Sequence, residues 1–252
     1  MDNKAQAGLV LTAEYSDLWK EDKKTETNEV MFALQHSAKH KIASNYGKSY
    51  YPSDYSPNAG WADYYGNEDF FKAYPNDDRK EWNYMTEWKI KSGEIIPYTE
   101  SADKLPAISK YYDYDEGAPG KSAQSNGITC IYRYAEVLLM YAEASTRATN
   151  SVNQDALNAI QEVQKRAGYQ NRQIELTTTT EPAAFLTAVS NERGWEFFAE
   201  MKRWFELVRL EKVSEVRAET WNGSLFQSNN HYYFPIPYQQ IRLTQWTNNA
   251  GY

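Results

Sequence analysis

Apolar residues recur at helical spacing in the first and last parts of this 252-residue chain and lose that spacing between them. Five of them near the start are spaced for one buried side of a helix: Leu9, Leu11, Tyr15, Leu18 and Trp19. The pattern of the following segment NEVMFALQHS (28–37) predicts a short strand or an extended segment. Residues 1–43 are therefore expected to form an entry helix and an extended segment.

Residues 44–127 are dense in Tyr, Asp, Asn, Ser, Gly and Pro, with GWADYYGN (60–67) near the centre. Turn-forming residues at this density predict long loops with short helices, for example over Asn67–Tyr74. The many aromatic residues argue that these loops are ordered, because disordered segments are poor in aromatics. Long ordered loops in a compact protein are commonly functional.

From Ile128 onward the pattern becomes helical. The run ITCIYRYAEVLLMYAEASTRA (128–148) and the run SVNQDALNAIQEVQKRAG (151–168) predict two amphipathic helices joined as a hairpin, with Gly168 as the stop. Small residues suited to the helix contact are Ala142, Ala144, Ala156 and Ala159. The hairpin is similar to a tetratricopeptide unit without that repeat's Trp and Gly markers. A second helical pair is predicted over 181–213, with Pro182 near its start, followed by an extended tail over 231–243.

Composition and charge narrow the function classes. Aromatic residues make up 15% of the chain, with 21 Tyr and 8 Trp, and such rings suit exposed binding surfaces. The net charge of −7 argues against a nucleic-acid partner and favours a neutral or cationic ligand. Cys130 is the sole cysteine, which excludes an internal disulfide and a cysteine-rich metal site. The sequence has no apolar run long enough to span a membrane and no signal-peptide pattern at its start.

Three glutamates, Glu192, Glu196 and Glu200, recur every fourth residue and would share one helix face. Such a face could hold a metal or acid–base site, or it could form structural ion pairs. His36 and His40 are four apart, but the segment reads as extended and lacks a Glu, so no metal site is expected. The run DYDEG (113–117) begins like a calcium loop with Gln124 at the twelfth position; an EF-hand is not expected, and a looser calcium site stays open. The sequence contains neither a phosphate-binding glycine loop nor a serine-hydrolase elbow.

Four segments in order resemble the signatures of the SusD/RagB family of outer-membrane nutrient-binding lipoproteins. They are YPNDDRK (74–80), IYRYAEVLLMYAEA (131–144), ERGWEFFAEMKRWFELVRL (192–210) and YYFPIPYQQIRLTQWTNNAGY (232–252). The last departs from the family where NNAGY lacks the usual Pro. The resemblance covers nearly the whole chain and corresponds to the C-terminal portion of the family; its N-terminal half, with the lipid-carrying cysteine, has no counterpart here.

The resemblance implies a mainly α fold of tetratricopeptide-like hairpins with long ordered loops and a little β. It implies a cell-surface, outer-membrane protein that captures glycans for a SusC-like TonB-dependent transporter, with no catalytic activity and no cofactor. Peptide capture is an alternative within the family, and a helical interaction scaffold without a small ligand is a second. The resemblance also favours structural ion pairs for the polar residues of the signature helix: Glu192, Arg193, Glu196, Glu200, Arg203 and Arg209.

The loop aromatics are the predicted ligand-binding residues, because flat rings stack on the apolar faces of sugars. The first group, in GWADYYGN, comprises Trp61, Tyr64 and Tyr65, with Asp63 and Asn67 as polar contacts. The second group comprises Tyr50, Tyr51 and Tyr55. Packing of these rings in the core is the competing interpretation for each of them.

Overall fold

The computed structural model describes residues 4–56, 59–111, 125–213 and 233–249. Its helices are α1 (Lys4–Ala7), α2 (Tyr46–Tyr50), α3 (Glu68–Ala73), α4 (Asp78–Asn83), α5 (Tyr134–Thr149), α6 (Gln154–Arg166), α7 (Pro182–Glu196), α8 (Arg203–Arg209) and α9 (Tyr238–Thr244). Its strands are β1 (Val30–Gln35), β2 (Tyr84–Met85), β3 (Glu87–Lys89), β4 (Ile95–Pro97), β5 (Ala107–Ile108) and β6 (Ile128–Arg133). The predicted fold class, mainly α with long ordered loops and a little β, is confirmed. Residues 1–200 and 201–252 form two compact units, which are described separately.

Helices α5, α6 and α7 enclose the main hydrophobic core of the first unit. Its fully buried residues include Leu138, Leu139, Ala142, Ala156, Ile160, Val163, Phe185 and Val189. These residues recur every three or four positions along each helix, so each helix turns one apolar side inward. The predicted tetratricopeptide-like hairpin is thereby confirmed.

Local capping explains where the hairpin turns. Asn150 ends α5 in the left-handed conformation with φ of 48°, and the Asn153 side chain accepts a hydrogen bond from the Ala156 amide at 2.7 Å. Gly168, with φ of 85°, follows α6 as predicted. Ala144 differs from the prediction because its side chain is exposed rather than packed between the helices.

The predicted entry helix is wrong. Helix α1 ends at Ala7, Gly8 has φ of 66°, and the next regular element is a 3₁₀ turn at Tyr15–Leu18. Between them the Thr12 amide donates to the Glu29 carboxylate at 2.8 Å, a bond outside the segment that replaces a helical one. Apolar spacing correctly marked the inward-facing residues of this segment, because Tyr15, Leu18 and Trp19 are buried.

The strand predicted over 28–37 is confirmed as β1, but its partner was predicted as helix. Strand β6 pairs antiparallel with β1, and Ile128 lies opposite Gln35. The β-branched residues Ile128, Thr129 and Ile131 favour this extended conformation over a helix. Helix α5 therefore begins only at Tyr134, whose amide donates to the Glu29 carbonyl at 2.8 Å.

A second hydrophobic core supports the loop region. It contains Tyr15, Leu18, Trp19, Tyr50, Ile108, Tyr111, Ile128 and Cys130. The short helix predicted over Asn67–Tyr74 is confirmed as α3, with the Asn67 side chain capping it at the Phe70 amide (2.9 Å). Two small antiparallel pairs, β2–β5 and β3–β4, complete the region.

The second unit contains α8 and α9 among its described residues. The tail was predicted as extended, but α9 begins directly after Pro237. A proline suits that position because the first residues of a helix need no amide donor. Just before this helix, the Ile236 amide donates a hydrogen bond to the side-chain oxygen of Asn248 at 2.8 Å. In the described parts of the chain, no helix is both long and apolar enough to cross a bilayer.

Candidate ligand-binding surface

The loop over residues 59–66 is fastened to the first unit through its backbone. Six loop amides donate to carbonyls outside it: Gly60 to Pro52 (2.9 Å), Trp61 to Lys48 (2.7 Å), Ala62 to Tyr51 (3.0 Å), Asp63 and Tyr64 to Ser49 (2.9 and 3.3 Å) and Gly66 to Pro106 (2.9 Å). Four of these acceptors lie at the end of α2 or directly after it. The last carbonyls of a helix lack intrahelical donors, so the end of α2 is a natural place for the loop to attach.

Two glycines let the loop lie close to its supports. A Cβ on Gly60 would stand 2.0 Å from the carbonyl oxygen of Tyr51, and a Cβ on Gly66 would stand 2.5 Å from the ring of Tyr84. Any larger residue would therefore push the loop away. Ala62 has φ of 55°, a conformation that costs a non-glycine residue about 1 kcal/mol and persists only where surrounding contacts enforce it.

Two rings of this loop face solvent. Trp61 is 51% exposed and Tyr64 is 62% exposed. The Tyr64 ring rests on Tyr50 at a centroid distance of 5.8 Å, and the Lys48 ammonium lies 5.0 Å from the Trp61 ring centroid. The loop therefore presents flat apolar faces whose positions are set by the contacts beneath them.

The second predicted group of rings lies mainly inside the protein. Tyr51 is fully buried, and Tyr50 is buried against Tyr46 and Tyr111. Burial raises the pKa of Tyr50 to about 12. Predicted ligand contact is thus replaced by a supporting role for these two rings. Tyr55 is half-buried and packs edge-on against Tyr51 at 4.8 Å, which leaves part of its ring accessible.

The remaining predicted contacts have different surroundings. Tyr65 is half-buried and its hydroxyl donates to Asp103 at 2.6 Å; burial, followed by this bond, raises its pKa. Asn67 uses its side-chain oxygen as the cap of α3, where it accepts from the Phe70 amide at 2.9 Å. Asp63 is exposed on the loop beside Trp61. Trp61, Tyr64 and Asp63 are therefore the predicted site residues that meet solvent most openly.

A cleft of about 330 Å³ adjoins this loop. It is lined by Ser53, Asp54, Tyr55, Ser56, Ala59, Ile90, Lys91 and Ser92. Tyr55 is a predicted ligand-binding residue, but the cleft itself could not be predicted from the sequence, because its second wall comes from the β3–β4 turn about 35 residues further along. Only pairing between these segments, through the Tyr55–Ile90 bridge, brings the two walls together.

The three signature glutamates lie inside a buried ion network rather than on an open face. Glu192 and Glu196 accept hydrogen bonds from Arg79 (2.5 and 2.8 Å), and Glu200 accepts from Arg133 (2.8 Å) and Lys110 (2.7 Å). Further pairs join Asp77 to Arg79 (2.6 Å), Glu29 to Arg133 (2.7 Å) and Arg166 (2.9 Å), and Glu196 to both Arg133 and Arg166. Helix α7 ends at Glu196, so Glu200 reaches the network from the turn that follows.

The pKa values of the network carboxyls are shifted in different directions. Burial alone would raise the pKa of Glu196, but the surrounding arginines outweigh it and hold that pKa well below its usual range. Arg133 and Lys110 likewise lower the pKa of Glu200 against the effect of burial. For Glu192 burial prevails over Arg79 and the pKa is raised. Burial also lowers the pKa of Lys110 to about 8, although Glu200 opposes this.

The arginines predicted to flank the glutamates take other partners. Arg193 lies 3.6 Å from Glu136. In the second unit, Arg203 and Arg209 each lie 4.0 Å from Glu206. The network instead draws its cations from Arg79, Lys110, Arg133 and Arg166, of which Arg79 and Arg133 lie in segments that resemble family signatures.

The histidine candidates are placed apart from any metal-like geometry. Both ring nitrogens of His36 are in hydrogen bonds, to the Thr129 hydroxyl (2.8 Å) and the Ile42 carbonyl (3.2 Å), and His40 lies on an exposed turn. Among the described residues, no group of three or more His, Cys, Asp or Glu is arranged to hold a metal ion. The DYDEG run and Gln124 lie outside the described residues.

Comparison with known proteins gives consistent matches. A family model described as the SusD family matches residues 43–252. The SusD-like protein P2 of Formosa agariphila is 26% identical along an alignment that covers 100% of this chain and 54% of that protein. The chain thus spans about half the length of this curated relative.

Solved structures match the fold. A SusD superfamily protein from Parabacteroides distasonis aligns with a TM-score of 0.77 at 22% identity, covering 100% of this chain and 55% of that one. Surface glycan-binding protein A from Bacteroides thetaiotaomicron, solved in complex with laminarihexaose, aligns with a TM-score of 0.68 at 24% identity, covering 96% and 56%. At these identities the likeness establishes a shared fold.

Proposed function

The chain belongs to the SusD family, and from this premise we propose that it captures oligosaccharides at the cell surface. The captured sugar is passed to a SusC-like TonB-dependent transporter in the outer membrane, to which the full protein is held by a lipid anchor. The chain spans about half of its relatives' length. The lipid anchor and the transporter contact are therefore proposed for the full-length protein and not for this chain alone.

The observation that carries the proposal is the exposure of Trp61 and Tyr64 on a loop held by its backbone. Sugars bind through their apolar C–H faces on such rings, while neighbouring polar groups bond their hydroxyls. A ring fixed before binding loses little conformational entropy, which favours the complex. Asp63 on the same loop offers a carboxylate acceptor for a sugar hydroxyl.

Capture of an oligosaccharide agrees with what related folds hold. One protein of similar fold was solved with laminarihexaose. We infer binding without catalysis, because Glu192, Glu196 and Glu200 are buried and each is already bonded to a cation. A general acid or base must reach the substrate, and these carboxylates cannot do so from inside the ion network.

An interaction role has its own supporting observation. The outer side of the β1–β6 pair exposes Phe32, Leu34 and Tyr132. Apolar residues gathered on one exposed surface often mark a protein contact. This surface suits a contact with the transporter, and it equally suits an interaction scaffold without a small ligand. Saccharide binding distinguishes the two functions, because a scaffold of that kind would bind no sugar. Peptide capture would instead give binding to peptides and none to sugars.

A glycan array followed by calorimetry on the Trp61→Ala variant tests the proposal. We expect the intact chain to bind at least one oligosaccharide class, and the variant to lose at least about tenfold in affinity, since losing a buried ring face costs about 1.5–3 kcal/mol. Its melting temperature should stay within a few degrees of the wild-type value, because the ring is half exposed.

The matched control is Trp246→Ala in the second unit, which removes a tryptophan of similar exposure (59%). This variant should keep the wild-type affinity. Equal losses in both variants, or unfolding of Trp61→Ala, would remove Trp61 from the site. An array without any saccharide signal, together with peptide binding, would replace the proposed function by the peptide alternative.

A further inference from the structure

We propose that the cleft between residues 53–56 and 90–92 is a second sugar subsite, so that the protein prefers chains of several linked units to short fragments. This inference rests on the proposed oligosaccharide binding at Trp61. It adds a site whose position, walls and free polar groups are set by the structure.

The cleft is continuous in chain with the exposed ring. Ala59 lines the cleft, and Trp61 is two residues further along, so their Cα atoms are at most about 7 Å apart. The Gly60 amide between them is fixed to the Pro52 carbonyl at 2.9 Å. A saccharide stacked on Trp61 would place its neighbouring unit in the cleft.

The walls of the cleft are joined before any ligand arrives. The Ser56 amide donates to the Lys89 carbonyl at 2.8 Å, and the Trp88 indole donates to Asp54 at 2.8 Å. The turn that forms the second wall is closed by the Ile90 amide bonding to the Glu94 carbonyl at 2.8 Å. A preformed cleft binds without the entropy cost of ordering its walls.

The polar groups lining the cleft are suited to sugar hydroxyls. Within the described parts of the chain, the hydroxyls of Ser53, Tyr55 and Ser56 and the ammonium of Lys91 have no protein hydrogen-bond or ion-pair partner. The half-buried Tyr55 ring supplies an apolar face among them. One ring surrounded by several free donors and acceptors is the composition expected of a carbohydrate subsite, and about 330 Å³ falls at the lower end of small-molecule sites.

Chain-length dependence of affinity tests the subsite. Calorimetry would compare two-unit and six-unit oligosaccharides derived from β-1,3-glucan, β-1,4-glucan and a polyuronate. We expect wild-type protein to bind at least one six-unit sugar about tenfold or more tightly than its two-unit form. Ser92→Trp places a large ring in the cleft from an exposed turn and should abolish that gain while leaving the two-unit affinity unchanged.

Two further variants keep the result interpretable. Ser151→Trp adds the same ring to an exposed turn after α5 and should keep the full chain-length gain. Lys91→Met removes one free donor without filling the cleft and should reduce the gain by several fold at an unchanged melting temperature.

Each result decides between the two sites. A gain that survives in Ser92→Trp, or a wild-type protein that binds two and six units equally, overturns the subsite and leaves binding at Trp61 intact. Both sites are supported if Trp61→Ala loses the two-unit and the six-unit affinity, whereas Ser92→Trp loses the chain-length gain and keeps the two-unit affinity. If neither the array nor calorimetry shows binding of any saccharide, the proposed function and the subsite both fall.

Discussion

Replacing Arg133 by Met should strongly destabilise the first unit. The guanidinium donates to three carboxylates at once: to Glu29 (2.7 Å), to Glu200 (2.8 and 3.1 Å) and to Glu196. It also donates to the Glu196 main-chain carbonyl at 2.8 Å. Methionine keeps much of the side-chain volume but removes the charge and every donor, so the loss is mainly electrostatic rather than a cavity.

The remaining cations limit the cost. Glu196 keeps Arg79 and Arg166, Glu29 keeps Arg166, and Glu200 keeps Lys110. Removing one partner of a buried ion pair typically costs about 3–5 kcal/mol, so we expect the free energy of unfolding to fall by about 4 kcal/mol. At about 2–4 °C per kcal/mol for a domain of this size, the melting temperature should fall by about 8–16 °C.

Urea unfolding at pH 7, followed by tryptophan fluorescence, measures this loss. The control is Arg147→Met, which removes an exposed pair with Glu143 (2.8 Å) and should cost less than about 1 kcal/mol. Arg133→Lys keeps the charge but not the forked donors, so its cost should be intermediate, and it remains measurable if the Met variant does not fold. An Arg133→Met protein as stable as Arg147→Met would refute the structural reading of the network.

Three further predictions concern Glu200, the loop at Gly60 and the exposed apolar residues of β1. The pKa of Glu200 is lowered in the fold, so its contribution to stability is present above the ordinary value near 4.5 and is lost as the pH falls below that value. Between about pH 5 and pH 3 the free energy of unfolding should therefore fall less in Glu200→Gln than in the wild type. Equal slopes of this free energy against pH would contradict the prediction. Gly60→Ala forces a Cβ against the Tyr51 carbonyl. The substitution should lower the free energy of unfolding by about 1–3 kcal/mol and weaken saccharide binding. An unchanged saccharide affinity in calorimetry would show that the loop adapts to the added Cβ. Replacing Phe32 and Leu34 by Ser should lower the fluorescence of a bound hydrophobic dye at constant melting temperature; equal fluorescence would place the dye site elsewhere.

Periodicity predicted the helices that are built from local contacts. The α5–α6 hairpin, the start of α7 at Pro182 and the cap of α3 at Asn67 all follow from neighbouring residues. The failures occurred where a distant partner outweighed local pattern. Ile128–Arg133 became strand because β1 offers it an antiparallel partner, and residues 9–14 left the helix where Glu29 captures the Thr12 amide.

In the candidate site, too, the sequence predicted some features and the fold decided others. Turn residues around an aromatic run correctly indicated that Trp61 and Tyr64 could stand exposed on a loop. The same composition could not distinguish them from Tyr51, which is equally aromatic but fully buried. Burial depends on which surfaces meet in the fold, and the carbonyl of Tyr51 lies against Gly60 only because the loop returns to the end of α2.

By itself, therefore, the sequence determined the helical hairpins, the loop-rich middle and the family signatures. Each of these depends on residues that are close together in the chain. Tertiary structure alone decided which cations neutralise Glu192, Glu196 and Glu200. It also decided that residues 53–56 and 90–92 enclose one cleft. The physical reason is range: propensity and capping act between neighbours, whereas ion pairs and clefts join segments that approach only after the chain has folded.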